Sequence, residues 1–120
     1  MAIPSGSGTE VLKRSYVDGT SDTPQTLITG VANHIYTVLS IVITEVANRA
    51  DAHFRLYIDY NAGGTDLRLN DEVVGAYNTF IWNDKIVLTG TDKLHFLGLS
   101  SAGTADYDVW CTYIDQDFGS

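Results

Sequence analysis

Cysteine is nearly absent from this chain of 120 residues: Cys111 stands alone. One thiol excludes an internal disulfide and any cysteine-rich zinc site, and it leaves the redox compartment open. Basic residues are scarce too. Seven Lys and Arg face fifteen Asp and Glu, a formal charge of −8. That balance argues against a phosphate-tracking nucleic-acid protein and against an anionic membrane surface. Long apolar runs are missing as well, since the stretch from Val38 to Ile43 is interrupted by Ser40 and is far too short to cross a bilayer. Residues 1–8 carry neither a charged leader nor an apolar core, so no secretory signal is expected. An extracellular destination would then be reached by assembly into a particle.

What is present suits a folded domain. Hydrophobic residues make up 44% and charged residues 18%, which is not a disordered composition. A chain of this length forms one domain and buries roughly two-thirds of its unfolded surface. Two prolines and eleven glycines cut it into short segments of alternating β-branched and aromatic residues, the signature of strands. Thr37, Leu39, Ile41 and Ile43 alternate with Tyr36, Val38, Ser40 and Val42. Phe54, Leu56, Ile58 and Tyr60 alternate with His53, Arg55, Tyr57 and Asp59. Tyr107, Val109, Cys111 and Tyr113 alternate with Asp106, Asp108, Trp110 and Thr112. A period of two sends one set to a core and the other to solvent or a partner.

Further strands are expected at Val11 to Val17, Thr26 to Thr29, Asp66 to Leu69, Asn78 to Trp82, Lys85 to Leu88 and Lys93 to Leu99. Turn residues separate them at Asp18-Gly19, Asn61-Ala62-Gly63-Gly64, Asn83-Asp84, Thr89-Gly90 and Ser100 to Gly103. Val42 to Ala52 tolerates a helical turn but has no cap or apolar stripe. The pattern predicts an all-β fold, a single β-sandwich of the jelly-roll kind. Residues 1–12 read as an extended N-terminal arm and 13–120 as the sandwich domain. The arm is either a frayed terminus or a segment that orders on a neighbouring subunit. In the second case Ile3, Pro4, Val11 and Leu12 supply its contacts, with Lys13 and Arg14 as a basic edge.

Signs of catalysis are thin. The chain lacks a Gly-x-Ser-x-Gly elbow, a phosphate-cradling glycine loop and a His-Glu-x-x-His zinc site. His34, His53 and His95 fall in three strand regions and read as surface histidines rather than as a metal site. Cys111, mid-strand among Tyr107, Val109 and Tyr113, reads as a buried, inert thiol. Asp59, Asn61 and Gly64 match part of a calcium loop, but Gly63 falls where an oxygen ligand belongs and Asn70 where the bidentate Glu belongs. The segment is therefore read as a turn. Asp106 and Asp108 share one strand face and serve as an acid–base pair, as ligands of a hard cation or, most simply, to solvate that face. No catalytic residue, cofactor or metal is assigned, and the chain is expected not to be an enzyme.

Aromatics are more informative: seven Tyr, four Phe and two Trp. Trp110 lies on the strand face opposite the inferred core set, and Trp82 precedes a turn. Tyr16, Trp82 and Trp110 are therefore candidate interface aromatics, with stacking on sugar as an alternative use. Charge is also uneven along the chain. No Lys or Arg follows Lys93 while four Asp do, so a basic-edged arm side and an acidic, outward-facing C-terminal side are expected.

Several segments resemble small structural proteins of tailed bacteriophages. They are the opening Ala2-Ile3-Pro4-Ser5-Gly6-Ser7-Gly8-Thr9-Glu10-Val11-Leu12, the strand His34-Ile35-Tyr36-Thr37-Val38-Leu39-Ser40-Ile41, the run Trp82-Asn83-Asp84-Lys85-Ile86-Val87-Leu88 with Thr89 to Leu94, and the ending Tyr113-Ile114-Asp115-Gln116-Asp117. The resemblance implies a virion structural protein made in the host cytoplasm and placed on the capsid surface. Its expected form is a homotrimeric decoration (cement) protein bound to the major capsid protein of the same phage, with no nucleic-acid or membrane partner. A small tail or fibre component, or a host-glycan-binding module, is the alternative.

Overall fold

The computed structural model describes residues 9–18, 23–60, 65–99 and 106–119. Nine strands follow in chain order: β1 (Thr9–Asp18), β2 (Gln25–Thr29), β3 (His34–Glu45), β4 (His53–Tyr60), β5 (Thr65–Val73), β6 (Thr79–Trp82), β7 (Ile86–Thr89), β8 (Lys93–Leu99) and β9 (Tyr107–Asp117). All pairings are antiparallel. The first sheet has the order β1-β9-β3-β6, with β7 also paired to β3; the second has the order β2-β8-β4-β5. β3 is long enough to pair with β7 through Ile35–Val38 and with β6 through Ile41–Thr44. Taken as two halves of one interrupted strand, β6 and β7 complete the two Greek keys of a jelly roll. The all-β sandwich expected from the sequence is the fold observed.

The core lies between the sheets. Tyr36, Val38, Ile41, Ile43, Ile86, Leu88, Tyr107, Val109 and Cys111 come from the first sheet, and Leu27, Ile28, Phe54, Leu56, Ile58, Leu94 and Phe96 from the second. Phe54 contacts the rings of Phe80 at 5.0 Å and Phe96 at 5.9 Å, and Phe96 meets Tyr107 edge-on at 5.3 Å. Each such side chain adds about 1.5–3 kcal/mol of apolar burial. The alternation read for β4 and β9 holds in the core, although Tyr60 at the end of β4 is exposed.

β3 departs from the sequence reading. Its buried residues are Tyr36 and Val38, then Ile41, Ile43 and Glu45, with Ile35 also buried but outside the core cluster, so neither alternating set is wholly inside. The pairing with β9 shifts between Val38 and Ser40: Leu39 is an extra residue, and one inserted residue flips every later side chain to the other face. Nor does a helical turn follow. Residues 46–52 form a loop, in which Asn48 takes a φ of 57°. The Glu45 carboxylate anchors this end, accepting from Ala47 N–H at 2.8 Å and Tyr77 N–H at 3.0 Å.

Residues 9–12, grouped with the arm from sequence, are the first residues of β1. That strand pairs with β9 along its whole length, from Thr9↔Asp117 to Asp18↔Asp108. The turns at 61–64 and 100–103 lie outside the described residues, as do Ile3 and Pro4.

Candidate interaction face

Alternation places Leu12, Arg14, Tyr16 and Asp18 of β1 on the outer face of the first sheet, beside Ile114, Thr112, Trp110 and Asp108 of β9. The register continues this face across the sheet. Tyr16 pairs with Trp110, Trp110 with Val42 of β3, and Val42 with Ile81 of β6. A second row runs Leu12, Ile114, Thr37, Val87. Two largely apolar rows, the second interrupted by Thr37, therefore cross four strands on the outside of the protein. Val42, Thr37 and Ile114 are half-buried, and the others are open to solvent: Leu12 is 69% exposed, Tyr16 62%, Ile81 54%, Val87 51% and Trp110 41%.

Trp110 sits at the centre of this surface. Its ring stacks on Tyr16 at 5.7 Å, and the Arg14 guanidinium lies 4.9 Å from its centroid. A shallow groove of about 310 Å³ on one side is lined by Tyr16, Asp18, Val42, Thr44, Asp108 and Trp110. On the other side a groove of about 410 Å³ is lined by Leu12, Lys13, Arg14, Trp110 and Thr112. Cation–π contact and stacking preorganise the two rings and the Arg14 fork as one flat platform.

The structure thus brings together Leu12, Arg14, Tyr16 and Trp110 from the sequence-derived candidates. Trp82 is elsewhere: opposite Ile41, its ring packs against the core, and its N–H donates to the Asp84 carbonyl at 2.7 Å. Val11 is exposed. Lys13 reaches Asp115, with Nζ 2.8 Å from Oδ2, while His34 donates from Nδ1 to Asp115 Oδ1 at 2.7 Å. Burial alone would raise the Asp115 carboxyl, but the hydrogen bonds from Lys13 and His34 outweigh it and hold the group below the usual carboxylate range. The hydrogen bond that Lys13 donates to Asp115 in turn raises the lysine.

These contacts correct the expected charge polarity. Because β1 and β9 pair antiparallel, the basic residues after the arm lie against the acidic C-terminal strand rather than across the molecule from it. Asp115 is buried, not a solvated acid. The histidines are dispersed, His34 on the first sheet and His53 and His95 on the second. Among the described residues no group of three or more His, Cys, Asp and Glu is arranged to hold a metal ion. Of the calcium-like residues, Asn61 and Gly64 lie outside the described residues. Cys111 is buried with its thiol pushed up to about 12 by desolvation, an unreactive state.

Val42, Ile81, Val87 and Ile114 were not singled out from sequence, although a signal existed. Ile41-Val42-Ile43, Phe80-Ile81-Trp82 and Ile86-Val87-Leu88 are unbroken apolar triplets, which mark strands apolar on both faces.

No family model and no curated relative matches the chain. Its fold is similar to solved structures at low identity. One is a protein of Bacillus endospore appendages, described as a novel family of disulfide-linked pili, with a TM-score of 0.56 and 14% identity over 99% of this chain and 97% of that one. Another is from infectious bursal disease virus, Gx strain, with a TM-score of 0.53 and 13% identity over 93% of this chain. A third, from the T13 particle of the same virus, gives 0.51 and 13% over 92%. The chain spans 32% of each viral protein. At these identities the likeness establishes the fold.

Proposed function

We propose that this chain is a non-enzymatic structural subunit of a virion, built to bury one sheet face against another protein. The observation that carries this reading is the pair of apolar rows across β1, β9, β3 and β6/β7. An exposed apolar surface of this extent marks an interaction site, whereas scattered exposed side chains do not. The jelly-roll fold shared with an appendage protein and virus-particle proteins supports an assembly role. The disulfide linkage described for the pili does not carry over through Cys111, the sole cysteine, because it is buried.

In its finer form the reading is a capsid cement protein: a homotrimer on the outer shell that bridges major capsid protein subunits, with residues 1–8 as an arm reaching a neighbour. The resemblance to tailed-phage proteins supports this form. Several weak contacts made by one trimer act together, raising avidity by roughly a hundredfold or more. Imaging purified particles with this chain labelled tests it. The label should decorate the head in a regular array; a chain found only unassembled would overturn the reading. Because β1 starts at Thr9, removing residues 1–8 leaves the strand whole, and undiminished occupancy would eliminate the arm.

A second reading, a tail or fibre component that binds host glycan, is favoured by one observation: the groove beside Trp110 combines aromatic faces with Asp18, Asp108 and Thr44. Binding on a glycan array that disappears with Trp110→Ala would select it.

A further inference from the structure

The two apolar rows have a charge arrangement that identifies a specific occupant. Along β1, Arg14 lies on one side of the row Tyr16–Trp110–Val42–Ile81, and Asp18 lies on the other. Both are exposed. A two-fold axis in the plane of the sheet, running along that row, reverses the strand direction and preserves the position across the sheet. It therefore sets Arg14 of one copy opposite Asp18 of the other, twice, and lays each member of that row on its own equivalent. We propose that the outer face of the first sheet is a self-complementary surface that buries against a second copy of this chain.

Three further considerations support this occupant. At −8, two copies repel over most of their surfaces. Between the two rows, however, β1, β9 and β3 place Arg14 as their one charge, and the link from β6 to β7 adds the exposed Asp84 and Lys85, which are of opposite sign, so no excess of negative charge gathers there and like copies approach at least cost. The area suits a contact that dissociates on dilution. Four strands spaced about 4.8 Å apart, over the roughly six residues that overlap about this axis at about 3.3 Å each, give a plane of about 380 Å² before side-chain relief. That is about half of the ~800 Å² each partner contributes to a standard interface. Finally, sheets packed face to face keep their strands within about 30° of one another, and this axis leaves the two sets of strands aligned.

The inference goes beyond the virion reading, since it names a contact that stands or fails whatever assembly contains the chain. It is also compatible with a trimer, because a closed shell has two-fold as well as three-fold positions.

Sedimentation of the full chain tests it. The wild type should populate an even-numbered species that dissociates on dilution. Ile81→Asp should weaken that association by at least about thirtyfold, the effect of a central interface residue. Arg14→Asp should weaken it by about tenfold, and adding Asp18→Arg should restore it, as only a self-complementary contact requires. Circular dichroism should show each variant folded, since all three positions are exposed. Val73→Asp, on the outer face of the second sheet, should leave association unchanged. A wild type that stays monomeric up to about 100 μM, a trimer indifferent to Ile81→Asp, or a double charge swap that fails to restore association would each overturn the proposal. So would a monomer that binds glycan through Trp110. Any of these results would leave the location of the chain on a particle as a separate measurement, so failure here is distinct from failure of the virion reading.

Discussion

The two outer faces of this sandwich rest on one core and point in opposite chemical directions. On the first sheet, neighbouring strands present Tyr16, Trp110, Val42 and Ile81 to solvent. On the second, much of the face is polar and engaged with itself, although Leu97, Leu99 and Val73 also lie on it. Arg55 Nε lies 3.2 Å and Arg68 Nη1 3.3 Å from Asp71 Oδ2. His95 hydrogen-bonds Thr26 at 3.1 Å, and its ring meets Tyr57 at 5.2 Å. Polar groups that already have partners on the same face gain little by meeting another protein, whereas exposed apolar rings gain from leaving water. The difference separates a face suited to burial from a face suited to solvent.

The strongest way to break the contrast is to remove what both faces share. Phe54 is fully buried between two aromatic neighbours, so Phe54→Ala should cost about 3–5 kcal/mol in urea unfolding. A loss below about 1 kcal/mol would mean that the sheets do not rely on this contact. Next in size is the tie that holds β1, and with it Leu12, Arg14 and Tyr16, to the apolar face. Asp115→Asn should cost about 1–3 kcal/mol at neutral pH, towards the low end because Lys13 is 45% exposed. The sign with pH follows from the depressed carboxyl. Its contribution is fully present above the ordinary carboxylate range, near pH 4, and is lost as pH falls through its lower folded value. The stability gap between wild type and variant should therefore be open at pH 7 and close in acid. A gap that widened in acid would contradict the assigned pairing.

The legible parts of this molecule were those where one periodicity runs unbroken. β4 and β9 alternate cleanly, so their core residues and the outward position of Trp110 could be read from spacing. β3 could not, because the inserted Leu39 changes the phase mid-strand and its sequence does not differ from that of a regular strand. Asp115 was misplaced for another reason. Composition treats carboxylates as solvated, while burial here depends on partners far away in sequence: Lys13 and His34 for Asp115, and Tyr77 for Glu45. The charge polarity failed on topology. Only the pairing of β1 with β9 shows that the two ends of the chain are neighbours. The apolar face was half legible, since Tyr16 and Trp110 stood out as aromatics while Val42, Ile81 and Ile114 look individually like core residues.

The smallest expected effect provides the sharpest control on the second face. Arg55 is 32% exposed and Asp71 30%, and Arg68 approaches the same Asp71 oxygen. Arg55→Ala therefore leaves the carboxylate a remaining cation, and neither charge becomes a buried orphan. Exposed ion pairs of this kind contribute about 0–1 kcal/mol, and salt screens them with a Debye length near 10 Å at 0.1 M. The substitution should thus cost less than about 1 kcal/mol at low salt and nearly nothing at 1 M salt, with association unchanged at either. A cost above about 2 kcal/mol that salt left intact would place this ion pair in a dry environment. The charged face would then itself be covered by another surface, and the contrast between the two faces would no longer identify where this protein meets its neighbour.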